Sequence, residues 1–295
     1  MRASKRFLFL DIFYIVMMVL PILAGIVIKI LTSPAGDGVN ITGAGIYFTI
    51  PMPIQDFPVT EAQVNSLFVL ISLSFLCLFL THGINERHPG KRQHLAEWIV
   101  EKADALVSDN MGSYFTGYAP FIIAILALSA FSSLLSLFGL FPPTSDINIV
   151  GGWAILVFFL ITYNKLKCGP FQYLKGFTKP IAVLTPINMI SELATPVSMA
   201  FRHYGNVLSG SVISVLVSTA LAGLSAKVLR FLPGFLSKIP LFQVGIPAVL
   251  SIYFDVFSGL LQAFIFAMLT MLNVAGAFPA EEYEKRKRKK LSENK

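Results

Sequence analysis

Arg202 lies in a run from Ile181 to Leu224 whose only other charge is Glu192. A guanidinium keeps its proton inside a protein, so it cannot escape hydrocarbon by becoming neutral. It must face water, a counter-ion or a carboxylate that moves past it. Asn206 and Ser209 follow at i+4 and i+7, on the same face of a helix, and Ser211 lies further round. In the last apolar element Asp255 and Gln262 are seven residues apart and also share a helical face, with Ser258 and Gly259 between them. An acid, an amide and an arginine on neighbouring helices would form a hydrated polar strip inside an apolar body, and the chemistry such a strip supports is the passage of ions.

Each of these residues has a plainer use. Asn206 and Ser209 could simply hydrogen-bond between helices, and Gly205 and Gly210 suit close packing. Asp255 could be a permanent buried partner of Arg202. Glu192 could be ordinary surface charge near a helix end, and His203 is expected to be a packed or interfacial histidine rather than a proton relay.

The elements that must position these groups are membrane helices. Of the 295 residues 55% are hydrophobic and only 13% are charged, values that mark an integral membrane protein. The net charge of +7 does not indicate nucleic acid, because Lys and Arg sit between apolar spans instead of forming a patch interleaved with aromatics. Cys77 and Cys168 have no partner spacing, and His82, His88, His94 and His203 offer none for a metal. No cofactor or metal site is expected.

The predicted architecture is all-α, with about six apolar helices. Residues 1–32 form an N-terminal transmembrane helix, read as retained because the apolar run is a full span long and no small-residue cleavage site closes it. Residues 33–63 form an outer loop rich in Gly and Pro. Residues 64–278 form the main membrane domain, and 279–295 a basic tail. Within the main domain, Leu95, Trp98, Ile99, Ala103, Leu106 and Val107 recur at helical spacing and predict an amphipathic surface helix, either a connector or a docking site for a partner helix. Phe121 to Phe141 and Val150 to Tyr163 form a hairpin joined by Pro142 to Asn148. Most of the 23 Lys and Arg residues fall on one side of this arrangement, which places both termini in the cytoplasm.

Two elements are too long to stand upright. The 44 residues from Ile181 to Leu224 would make a helix of about 66 Å, roughly twice the hydrocarbon thickness. Such a run must break at Pro186, Pro196 or a glycine, or lie strongly inclined in the membrane. The last element, Ile246 to Ala277, has the same difficulty in milder form at about 48 Å. Inclined helices thin the bilayer beside them and can admit water from each side without a continuous pore, leaving a positively charged barrier between two wet pockets.

Three separated motifs then carry a resemblance that spacing alone does not supply. The segment Pro186 to Asn206, PINMISELATPVSMAFRHYGN, resembles the signature of subunit a of the F-type ATP synthases, the membrane stator of a rotary ion-driven motor. So do Gly259-Leu-Leu-Gln262-Ala-Phe-Ile-Phe266 and Pro142-Pro-Thr-Ser-Asp-Ile-Asn148, in the expected order over about residues 55 to 278. The resemblance implies that Arg202 faces the ionisable carboxylate of a rotating ring of c subunits, with Gln262 its neighbour on the last helix. It implies an acid on that helix at Asp255, in a half-channel open to the outside, and places Asn206, Ser209, Ser211 and Glu192 among the ion-translocation residues. Partners implied are the c-subunit ring, the peripheral stalk subunit b, the F1 ATPase head indirectly, and membrane lipid, in a bacterial cell membrane. The chain departs from the family pattern in having His203-Tyr204 after the arginine where Leu-Phe is commoner, and Ser133 where Asn is frequent.

The expected activity is translocation of an ion, with protons the expected cargo, and no covalent catalysis on this chain. The alternative is a self-contained secondary transporter or channel in which Arg202 binds an anion between discontinuous helices. An intramembrane enzyme is excluded by the lack of a nucleophile and base pair or of metal ligands at depth.

Overall fold

The fold was read from a computed structural model, which describes residues 2–32, 43–85, 89–167, 169–178, 182–228, 245, 249–250, 252–279 and 283. The basic tail from Glu281, Arg87, Cys168, Lys179, residues 33–42 of the outer loop and the start of the last element at Ile246 fall outside these residues, apart from Tyr283. Among the described residues, six helices are long and apolar enough to cross a membrane, including one of 44 residues.

Helix α1 (Arg2–Thr32) packs along α2 (Glu61–Thr81). Gly25 permits this approach, since a Cβ there would lie 3.2 Å from the Phe68 ring. Two ion pairs anchor α1: Lys29 Nζ to Glu61 Oε1 of α2 at 3.2 Å, and Asp11 Oδ1 to Arg92 Nη1 of the next helix, Lys91–Met111, at 2.7 Å. Between α1 and α2 lies the outer loop, which carries a hairpin of β1 (Ile46–Ile50) and antiparallel β2 (Phe57–Thr60) where the sequence predicts loop alone. Thr60 closes the second strand and starts α2 with a capping box, its hydroxyl accepting from Gln63 N while the Gln63 side chain accepts from Thr60 N.

Helix α3 (Lys91–Met111) is the amphipathic element. Its C-terminal half buries Ala103, Val107 and Met111 in the main core, whereas Leu95 and Trp98 of the expected apolar face stay exposed. Helix α4 (Ala119–Leu134) ends earlier than its apolar run suggests. The chain tightens into a 3-10 turn, Leu135–Phe138, and reverses at Gly139, whose φ of 72° favours glycine. Pro143, Thr144 and Ser145 are buried, and Asp146 caps α5 (Ile147–Leu166) by accepting from Asn148 N at 2.9 Å. A short helix, α6 (Pro170–Phe177), leads to α7 (Thr185–Val228).

Pro186 falls in the first turn of α7, where a missing N–H costs nothing, and Pro196 is carried inside the helix without ending it. Of the alternatives open in the sequence, the unbroken helix is therefore the one realised. The last element is different. It contains a π-helical segment, Ile252–Ser258, and continues as α8 (Gly259–Gly276). The core lies where α8, α4, α5 and α3 meet, around Val107, Ile122, Val157, Phe266 and Met271.

Candidate functional site

Arg202 is exposed on α7 and lines a cavity of about 320 Å³. Among the described residues it forms no ion pair, which sets aside the alternative of Asp255 as its permanent partner. The other walls are Ser191, Ala194, Thr195, Ser198 and Met199 of α7, and Leu269 and Asn273 of α8. Ser191, Thr195, Ser198 and Arg202 are spaced 4, 3 and 4 residues apart, which places all four on one helical face. Asn206 and Ser209 continue the stripe in the other direction.

The orientation of that stripe is fixed by the residue beside Arg202. His203 is fully buried, with 0% of its surface exposed. Its Nε2 lies 3.2 Å from Ser129 Oγ on α4, and its ring meets Trp153 of α5 and Phe266 of α8 edge to face, with centroids 6.2 and 5.5 Å away. Consecutive residues on a helix point about 100° apart. An imidazole wedged between three helices thus leaves the neighbouring guanidinium turned outward, and the expected packed histidine is what the structure contains.

The remaining expected site residues separate into groups. Asn206 Nδ2 donates to Ser258 Oγ at 2.9 Å, tying α7 to the π segment. Ser209 is exposed and its hydroxyl donates to Gly205 O at 2.6 Å, while Ser211 donates to Val207 O at 3.1 Å. Asp255 is half-buried within the π segment, and Gln262 is buried on α8 with 4% exposure. The seven-residue spacing of these two does not put them on one α-helical face, because the wider π winding lies between them. Neither lines the Arg202 cavity. Gly210 is a close-packing site, since a Cβ there would stand 3.1 Å from the Phe254 ring, but Gly205 is not: a Cβ there would meet nothing within 4 Å. Gly259 is tighter still, with Ser133 Cβ 2.8 Å from where its Cβ would be. Ser133 Oγ in turn lies 3.3 Å from Thr144 Oγ1 in the turn after α4.

Glu192 is not surface charge. Its side chain is 8% exposed; Lys165 Nζ of α5 sits 3.1 Å from Oε1, and the Tyr173 hydroxyl of α6 donates to the same oxygen at 3.1 Å. Partial burial and the neighbouring Glu192 carboxylate push the Tyr173 phenol up to about 12, so it stays a donor. Glu192 and Lys165 line a second cavity of about 210 Å³, which shares Thr195 and Asn273 with the Arg202 cavity. Sequence reasoning missed Lys165, Tyr173 and Asn273 as site residues. The stripe through Ser191, Thr195 and Ser198 was legible by reading the Arg202 face backwards.

A helical multi-pass membrane protein that turns onto a polar cavity a guanidinium with no ion pair among the described residues has the construction of an ion-conducting subunit. Residues 64–274 match the family described as ATP synthase A chain. ATP synthase subunit a of Desulforamulus reducens is 34% identical over 218 residues, covering 72% of this chain and 78% of that one. The corresponding protein of Priestia megaterium is 31% identical over 233 residues, covering 74% and 93%. A subunit a of Propionigenium modestum described as sodium ion specific is 28% identical over 275 residues, covering 82% and 88%. The chain belongs to the ATP synthase A chain family and is the non-catalytic, ion-translocating membrane stator subunit of an F-type ATP synthase. Membership sets aside the alternative of a self-contained anion carrier.

Proposed function

We propose that Arg202 is the group that the carboxylates of a rotating c-subunit ring meet in turn, and that it separates two half-channels. The observation that carries this reading is its exposure on a cavity with no ion pair among the described residues. The long unbroken α7 supports it. At about 66 Å the helix exceeds what an ordinary tilt fits into the bilayer, so it lies strongly inclined, with the stripe from Ser191 to Ser209 turned toward the ring.

An ion from outside reaches the ring past Asp255, Asn206, Ser209, Ser211 and Gln262, and one leaving toward the cytoplasm passes the Arg202 cavity and Glu192. At about 4 Å and an effective dielectric near 20, the attraction of Arg202 for an ionised ring carboxylate is about 4 kcal/mol. That favours release of the bound ion, and water in the cavity keeps the pair from becoming permanent. The drive is the membrane potential, about 2.3 kcal/mol per charge per 100 mV, plus the ion gradient. The cargo is the proton, the termini are cytoplasmic in a bacterial cell membrane, and the further partners are peripheral stalk subunit b and, indirectly, the F1 head.

Cysteine cross-linking in the assembled complex tests the reading. Ser198→Cys and Ser209→Cys on the stripe should each form disulfides with cysteines placed on the outer helix of the ring, whereas Ile155→Cys, exposed on α5, should not. Cross-links from Ile155→Cys alone would put the ring on another face.

A further inference from the structure

Resting on that reading, the structure assigns to Lys165 the role of a gate on the inner exit: its ammonium holds Glu192 between ion passages and lets go when Glu192 takes up a proton. The two cavities share Thr195 and Asn273, so a proton released beside Arg202 and moving away from it next meets the Glu192 carboxylate. That carboxylate is held by two donors on two elements, Lys165 Nζ and the Tyr173 hydroxyl, each at 3.1 Å. The partners differ in freedom. Glu192 is 8% exposed at its side chain and has nowhere to go, whereas Lys165 is 31% exposed and sits at the end of a flexible four-carbon stem. Lys167, a neighbouring ammonium, lies instead over the rings of Tyr163 and Phe278, at 5.2 and 5.6 Å. Asn273, contributed by α8 to the same cavity, is uncharged.

The cycle balances. A proton from cavity water bonds to a Glu192 oxygen and neutralises the carboxylate; the ion pair loses its attraction and the ammonium swings toward solvent. Tyr173 keeps the side chain in place. The proton then passes to water in the lower cavity, the carboxylate is restored and Lys165 returns. Between passages the ammonium both occupies the acceptor and repels cations arriving from the cytoplasm, so the inner mouth opens mainly to a proton delivered by the ring.

The complete ATP synthase reconstituted in liposomes provides the test, with initial ATP-driven proton pumping read by a pH-sensitive dye. Lys165→Gln frees the acceptor and should raise the rate of proton capture from the inner side a few-fold. Glu192→Gln removes the relay and should lower the rate by about a hundredfold or more. Opposite signs for the two are the signature of a gate. A static clamp would move both downward together, and that result, or no change in Lys165→Gln, would overturn the proposal. Lys165→Met keeps the stem and serves if Lys165→Gln does not assemble; failure of both to assemble would mark the pair as a clamp and overturn it equally. Arg202→Ala in the same vesicles separates the two ideas, because normal pumping there would remove the proposed role of Arg202 whatever Lys165 does.

Discussion

Replacing Gly259 by alanine inserts one methyl group where α8 crosses α4. Its carbon would stand 2.8 Å from Ser133 Cβ. Carbon atoms pack at about 3.5–4.0 Å, so the two helices must part by about 0.7–1.2 Å. Overpacking of this kind costs about 1–3 kcal/mol, offset by the roughly 1 kcal/mol by which Ala outscores Gly within a helix. Net destabilisation is therefore small, about 0–2 kcal/mol. The functional effect should be larger, because Gln262 sits one turn further along α8 and moves with it. A displacement near 1 Å can cost about a hundredfold where geometry governs the step. In proteoliposomes, Gly259→Ala should assemble at close to normal yield but pump protons far more slowly per ATP hydrolysed. Adding Ser133→Gly removes the opposing Cβ at the expense of the Ser133–Thr144 contact and about 0.5 kcal/mol of helix propensity, and should recover most of the pumping. Equal pumping by Gly259→Ala and the parent, or no recovery in the double variant, would show that the α4–α8 spacing does not set the channel.

Asp255→Asn should slow proton uptake from the outer side, seen as a lower rate of ATP synthesis at a fixed imposed gradient, and an unchanged rate would take Asp255 off the path. Arg202→Lys should impair synthesis severely, since a point ammonium replaces a planar five-donor fork; wild-type synthesis would argue that charge alone suffices. Ser129→Ala removes the hydrogen-bond partner of a buried His203 and should cost about 1–3 kcal/mol, measured as a lower temperature of thermal inactivation of the purified complex.

The apolar spans, the amphipathic α3 and the polar residues around Arg202 were legible because each leaves a local pattern of hydropathy or spacing. What stayed hidden depends on contacts across the chain. Whether α7 breaks at Pro196 turns on its surroundings, and there a buried proline is simply carried inside the helix. The π segment that changes the bearing of Asp255 leaves no periodic trace in seven residues. Lys165, Tyr173 and Glu192 come from three elements, and the first two look like ordinary loop residues until α5 and α6 bring them to one carboxylate. Leu95 and Trp98 recur at helical spacing with Ala103 and Val107 but are exposed where those two are buried, since helical spacing tells which residues share a side and not how far along the helix a neighbour extends.

The measurement that bears most directly on the central claim is ATP-driven proton pumping by Arg202→Ala in the assembled, reconstituted enzyme. With the guanidinium removed from its cavity, ring carboxylates should pass without being made to release their protons, and both pumping and gradient-driven synthesis should fall to background while the complex remains intact. Pumping at the parent rate would contradict the account.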